Sequence, residues 1–287
     1  MDMRIRGMSS KHNAKISIVD ISESMRTITE LQNSNPLAAI ALSKFTAANA
    51  LIGMELKNGE RMTANITTTD GAIGKMITEF QNNKVRSYAQ RNNFDPTGLF
   101  EGVENPIIKT VGTQGQLLVS QDLNMKDPYV SSTDLVDGSI DLDFMNYFKS
   151  SNQVQSFITT KAVLDKDMKV KKVVGILVQL LPTHTDEDID YLETKIGNSA
   201  YVGDILIEST NYEALINEII DDAVILEQFE LKFECTCSEE KTLNSIKMLG
   251  QDEIKSIIEE GNNVEVVCEF CNTKFDIGIE KLKDLID

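Results

Sequence analysis

The sequence has no tryptophan, only two histidines, and no cysteine before position 235. Each scarcity removes a class of function. His12 and His184 stand in no nucleophile–base motif, so a Ser-His-Asp site has no support and both rings are expected at the surface. No G-x-x-x-x-G-K-[ST] loop occurs and no G-x-G-x-x-G follows a strand-like run, which leaves nucleotide binding without its phosphate cradle. No catalytic residue is assigned. No apolar run is expected to reach the ~18 residues that span a bilayer. Arg4 and Arg6 near the start have no apolar stretch behind them, unlike a secretory signal. The expectation is a cytoplasmic chain without membrane contact. In that reducing compartment cysteines serve metal or redox chemistry before structural disulfides.

Positive charge is also scarce in one part of the chain. Residues 1–182 carry 19 acidic and 20 basic side chains, whereas residues 183–287 carry 26 acidic and 8 basic. Within residues 183–234, 14 acidic side chains face only Lys195 and Lys232. Such a tail repels nucleic acid. It also repels itself when compact, so its folded state should be marginal and depend on its neighbours.

What is present reads as α+β. Asn35-Pro36 is an N-cap followed by proline at the first helical position, and the apolar run behind it predicts a buried helix to Lys57, closed by Asn58-Gly59. Strands are expected at RMTANIT, GKMITEF and KVRSYAQ, with turns at Asp70-Gly71 and Asn82-Asn83, and again at GQLLVSQDL and YVSSTDLV. A helix at DLDFMNYFKSS precedes a hairpin through Asp165-Lys166-Asp167 that Pro182 ends, with Leu177–Leu181 as buried strand. Strands and helices without regular βαβ alternation predict a largely antiparallel sheet domain over residues 1–182. Residues 183–230 read as an acidic, metastable helical linker, with a capping box from Thr185 to Asp188 and a second helix at NYEALINEIIDD. Residues 231–287 read as a small third domain: a strand ELKFECTC, helices closed by Gly250 and Gly261, a strand pair around VEVVCEFCNTKF, and a final helix. Most of the eleven methionines should be core; Met54 and Met62 are candidates for an adaptable binding surface.

All four cysteines lie in that last domain, as Cys235-Thr236-Cys237 and, after a thirty-residue spacer, Cys268-Glu269-Phe270-Cys271. Four thiolates in two pairs are the donor set of a tetrahedral Zn²⁺ site, and the second pair resembles a zinc knuckle. A domain this small is marginal on its core alone, and zinc adds apparent folding free energy on the order of 10 kcal/mol. Removing the metal should unfold it. The bland reading is a closed structural site; the sharper one is that these deprotonated sulfurs remain open to oxidants.

The C-x-C, spacer, C-x-x-C pattern resembles the C-terminal motif of the 33 kDa chaperonin family, and the match includes Ser238, Leu249-Gly250, Ile258-Glu259-Glu260-Gly261, Glu265, Val267 and Phe270. FTAANALIGMELKNGERMT, GQLLVSQDLNMKDPY, LVDGSIDLDFMNYFKSSNQV and GILVQLLP extend it over most of the chain. The chain departs from the pattern at Gln121, Asn152, Gln155 and Val174. The resemblance implies an ATP-independent holdase for unfolding proteins under oxidative stress. It implies a reduced form that binds one Zn²⁺ through Cys235, Cys237, Cys268 and Cys271 and is inactive. It further implies that oxidation makes the disulfides Cys235–Cys237 and Cys268–Cys271, that zinc leaves, that the linker unfolds, that oxidised chains form a homodimer, and that a thioredoxin-like reductant reverses the switch.

Two rival classes follow from the same residues. A thiol–disulfide oxidoreductase using Cys268 and Cys271 needs the pair at a helix N-terminus in a βαβ setting, whereas here it follows a strand. A zinc-ribbon module for nucleic acid conflicts with the acidic tail.

Overall fold

The protein was analysed as a computed structural model that describes residues 1–99, 101–102, 105–261 and 263–286; the side chain of Asn152, one of the departures above, lies outside the described residues. The chain divides into two compact units, Met1–Phe233 and Glu234–Asp287.

The first unit opens with a hairpin, β1 (Met3–Ser9) and β2 (Ala14–Asp20), then α1 (Ser22–Leu31) and α2 (Pro36–Gly53). Strands β3 (Arg61–Thr68), β4 (Lys75–Gln81) and β5 (Lys84–Ala89) follow, then α3 (Pro106–Val111), β6 (Gly115–Asp122) and β7 (Tyr129–Asp134). Helix α4 (Ile140–Tyr147) runs into a π-helical turn at Phe148–Asn152 and leads to β8 (Ser156–Leu164) and β9 (Val170–Leu180). Three helices, α5 (Asp186–Ile196), α6 (Ser199–Glu208) and α7 (Tyr212–Ile219), precede β10 (Val224–Glu230) and the short β11 (Lys232–Phe233). The first sheet has the order β10-β1-β2-β9-β8 and is antiparallel throughout. The second has the order β11-β5-β4-β3-β6-β7 and is antiparallel except where β11 joins β5. This is the mixed α+β architecture the sequence pattern implies.

Helix α2 lies between the sheets, touching β8 and β9 of one and β3, β4 and β5 of the other. Its start follows local chemistry: the Asn35 side chain accepts the Ala38 N–H at 2.9 Å, and Pro36 occupies the first turn. It ends at Gly53, short of the expected Lys57; residue 53 lies against Phe80, where a Cβ would stand 2.4 Å from the ring, so only glycine fits. By length and composition α2 does pass for a membrane span, against the sequence expectation, but 83% of it is buried inside the protein. Core burial is what its apolar circumference serves. Met54 and Met62 are buried in the same core, so neither offers the adaptable surface expected of it.

The other face of the first sheet is what positions the segment after Pro182. Along β9 the side chains alternate: Val173 and Leu177 face the α2 core, while Val174, Ile176 and Val178 face a second core. Onto that second face pack Leu192 and Ile196 of α5, Val202 and Leu206 of α6, and Leu215, Ile216 and Ile219 of α7. Polar fastenings surround this contact. The Thr185 N–H and hydroxyl donate to the Asp188 carboxylate at 2.8 and 3.0 Å, which completes the expected capping box. Lys172 donates to the carbonyls of Ile207 and Ser209 at the end of α6, and the Tyr212 hydroxyl donates to Asp20 at 2.7 Å.

Burial also carries a cost in this unit. Asp143 on α4 accepts the Val136 N–H at 2.7 Å, but its second oxygen is buried without a partner. Burial, with Asp137 and Asp141 nearby, pushes its carboxyl up to about 6. A folded-state value above the unfolded one near 3.8 means this group's stabilisation is complete below about pH 4 and is lost as pH rises through 6. Asp143→Asn should therefore flatten the pH dependence: denaturant titrations at pH 5 and 7 should differ by about 1 kcal/mol less in the variant than in the parent.

The second unit comprises α8 (Glu239–Lys247), α9 (Gln251–Glu260), the hairpin β12 (Val264–Val267) and β13 (Lys274–Ile277), and α10 (Ile279–Lys283). Gly261 ends α9 at φ +77°, a conformation that favours glycine. The strand expected over ELKFECTC is reduced to β11; Cys235 and Cys237 lie in irregular chain, which frees them to bend toward a common centre. Among the described residues only Ile246, Ile254, Ile277 and Leu282 are fully buried apolar side chains of this unit.

Candidate metal centre

The four cysteines converge. Their sulfurs all lie within 4.8 Å of one another, and all four are unpaired, partly buried thiols. Cys235 Sγ lies 3.7 Å from Cys268 Sγ, and Cys237 Sγ lies 3.4 Å from Cys271 Sγ. Four sulfurs at about 2.3 Å from a tetrahedral Zn²⁺ stand about 3.8 Å from each other, so the donor set fits that ion in kind, number and spacing.

Local chain chemistry builds each half of the site. Beyond β12 the chain turns at Cys268: the Asn272 N–H donates to the Cys268 carbonyl at 2.8 Å, the Cys268 N–H to the Thr273 carbonyl at 2.9 Å, and Asn272 takes φ +55°. This turn aims the Phe270 and Cys271 N–H groups at the Cys268 sulfur, the knuckle geometry the sequence motif suggests. In the other half, the Lys241 ammonium donates to the Thr236 carbonyl at 2.6 Å and to its hydroxyl at 3.0 Å, and Ser238 caps α8 through the Lys241 N–H. Lys241 and Thr273 are supports that the motif alone does not name. The Thr273 hydroxyl stands 3.1 Å from Cys271 Sγ.

The thiols are not equivalent. Burial pushes Cys237 up, and the thiols of Cys271 and Cys235 add to the rise. Burial also pushes Cys268 up, against the N–H groups aimed at it. Burial acts the same way on Cys271, but the Thr273 hydroxyl and N–H and the neighbouring thiols outweigh it and hold Cys271 down at about 7. A cation is thus offered one sulfur that ionises readily and others whose thiolates need its charge.

The two histidines take no part. His184 hydrogen-bonds the Leu181 carbonyl. His12, expected at the surface, is 9% exposed: its ring stacks on Tyr191 at 3.6 Å and its Nε2 lies 3.2 Å from Asp221. Both partners are far along the chain, beyond the reach of local sequence pattern.

A family profile described as Hsp33 protein matches residues 2–278. The chain belongs to the Hsp33 family. Curated relatives support the same placement. A 33 kDa chaperonin of Streptococcus thermophilus is 31% identical over the full length of both chains. One of Staphylococcus aureus is 32% identical over 91% of this chain and 90% of its own. The crystal structure of the 33 kDa chaperonin (heat shock protein 33 homologue) of Thermotoga maritima superposes with a TM-score of 0.86 at 29% identity, over 99% of this chain and 97% of that one. The Hsp33 fold therefore holds for this chain from end to end, and the names attached to its relatives are those of chaperones, not enzymes. The four-cysteine cluster is compatible with zinc in this Hsp33 chain.

Proposed function

We propose that this chain is a redox-regulated, ATP-independent holdase whose reduced, zinc-bound form is inactive and whose oxidised form binds unfolding proteins. The observation that carries the reading is the set of four free thiols at tetrahedral spacing in a unit with four fully buried apolar side chains. A Zn²⁺ held by Cys235, Cys237, Cys268 and Cys271 would supply the cross-link that so small a core lacks.

The chain's own residues carry the switch. Each disulfide forms from two thiolates that together give up two electrons; hydrogen peroxide accepts them and, with two protons, leaves as two waters. We assign the pairs as Cys235–Cys237 and Cys268–Cys271. The contact distances do not select this pairing, since approaches of 3.7 and 3.4 Å run between the motifs; tryptic mapping of the oxidised chain tests it. Sulfurs bonded to each other no longer offer charge to a cation. The unit Glu234–Asp287 then loses its order, and with it the fixed end of the segment before it: β11 ends at Phe233, two residues before Cys235. Residues 183–230 form a linker whose acidity favours release. Its departure uncovers Ile5, Ile16, Ile18, Val174, Ile176 and Val178 on the first sheet, an apolar face for clients.

This reading places the protein in the reducing cytoplasm, with unfolded polypeptides as partners, a homodimer as the oxidised form, and a thioredoxin-like dithiol returning two electrons per disulfide. The rival thiol–disulfide oxidoreductase is disfavoured because Cys268 and Cys271 sit on a hairpin turn, not at a helix N-terminus. Light scattering of a heat-unfolded client tests the proposal. Peroxide-treated protein should suppress aggregation and reduced protein should not; equal suppression in both states contradicts the switch.

A further inference from the structure

Strand β10 covers the outer edge of β1, and the contact is not merely apolar. In the antiparallel register Arg4 faces Phe229, Arg6 faces Glu227 and Gly7 faces Ile225, with a bulge between Arg6 and Gly7. Glu227 Oε1 lies 3.0 Å from Arg4 Nη1 and 3.5 Å from Arg6 Nε. The Arg4 guanidinium stands over the Phe229 ring at 4.7 Å. On the opposite face Ile225 packs against the core that holds Ile5, Ile16 and Ile216. Arg4 is only 8% exposed; its Nη1 also donates to the Met54 carbonyl at 3.0 Å and its Nε is buried without a hydrogen-bond partner, while Arg6 and Lys15 share Glu55. With β10 gone, Arg4 would lose its carboxylate partner, and Arg6 would be left sharing Glu55 with Lys15 of β2. Beside them would lie a row of unpaired backbone N–H and C=O groups.

Such an edge accepts another extended chain: main-chain bonds give affinity and alternate side chains give selectivity. We infer that the β1 edge is a strand-addition site for client polypeptide, and that β10 is its resident occupant. The inference rests on the proposed release of residues 183–230. The complementary client is an extended segment with an acidic side chain opposite Arg6 and an aromatic one two residues further on, above Arg4, as Glu227 and Phe229 are in β10. A carboxylate there gives buried Arg4 the anion it would otherwise lack and gives Arg6 a second one, and the aromatic face adds a cation–π contact. A basic segment meets like charge and is rejected. Pairing of β1 with β1 of a second copy sets arginines near arginines, so the client is the favoured occupant. Because β10 is tethered, it competes at an effective concentration in the millimolar range, which keeps the edge closed until the linker is loose.

The test uses the full chain, reduced and peroxide-oxidised, with a fluorescein-labelled synthetic peptide of residues 222–232, read by anisotropy. The oxidised chain should bind it, the reduced chain at least ten-fold more weakly, and a peptide carrying Glu227→Lys at least ten-fold more weakly still to the oxidised chain. Unlabelled native peptide should displace an unfolded client from the oxidised chain. Equal binding of the two peptides would overturn the inference in favour of simple apolar adhesion. So would absence of peptide binding while the oxidised chain forms dimers that the peptide leaves intact. Client aggregation measured on the same samples separates the two readings. Protection without peptide binding sinks strand addition and spares the chaperone. Peptide binding confined to the oxidised chain, without protection, does the reverse.

Discussion

Cys268→Ser should leave residues 234–287 unfolded and release β10 with the segment before it, while the pairing among β1 to β9 remains intact. Serine keeps its proton at neutral pH and does not replace a thiolate in the donor set. Cys268 is also the hub of the turn that joins β12 to β13, since its carbonyl receives the Cys271 and Asn272 N–H groups and its own N–H binds Thr273. The core left behind has Ile246, Ile254, Ile277 and Leu282 as its buried apolar side chains, and a unit of this size is marginal on such a core alone. Structural zinc supplies on the order of 10 kcal/mol, and losing one of four ligands forfeits most of it. The measurement is amide dispersion in a nitrogen–proton correlation spectrum. Signals from α8, α9 and the β12–β13 hairpin should collapse to random-coil positions, and those from β3 to β9 should not. Chelation of the parent chain should give the same spectrum. A dispersed second unit in the metal-free variant would show that the apolar core suffices and that the thiol cluster is not its support.

Ile216→Asp should make the reduced, zinc-loaded protein protect clients without oxidation. Ile216 is fully buried on α7 against the first sheet, among Ile5, Ile16 and Ile176. A carboxylate placed there loses its hydration without gaining a cation, which costs several kcal/mol, and the acidic residues already crowded into this segment deepen the penalty. Relief comes by release of α5–α7, while the α2 core on the other face of the sheet is untouched. Zinc content should match that of the parent, because no cysteine changes. Light scattering with the reduced variant should approach that of the oxidised parent, whereas Ile216→Leu should behave as the reduced parent does. A variant that loses helicity from α5–α7 yet stays inert would mean that the face beneath them is not where clients bind.

How much of this was legible beforehand depended on how local the signal was. The site residues were legible because four residues of one rare type stood in two short motifs. Asn35-Pro36, Thr185 to Asp188 and Asn82-Asn83 announced a helix start, a capping box and a tight turn, since each is set by neighbours in sequence. The hairpin β1–β2 was not legible. Its alternate positions carry Arg4 and Arg6, whose partners Glu227 and Glu55 lie 49 or more residues away. Helix α6 contains Gly203, a poor helix residue that hides the helix from sequence pattern; it packs close to the Lys161 side chain of β8. Strand β10 reads Val-Ile-Leu-Glu-Gln-Phe-Glu, without the period-two alternation that would announce a strand, and only its pairing with β1 fixes it. His12 looked like a surface residue because Tyr191 and Asp221 reach it only through the tertiary fold. Helix α2 was legible as a buried helix, but the expectation that no apolar run reaches membrane length missed it, because a core helix covered on nearly all sides passes the same test of length and composition.

Hydrogen–deuterium exchange followed by mass spectrometry, sampled while a metal-sensitive dye reports zinc during peroxide treatment, addresses the coupling of thiols to linker directly. The amides of α5, α6, α7 and β10 should lose protection in step with dye signal, while α2 and β3–β6 keep theirs. Zinc leaving with those four elements still protected would contradict the account.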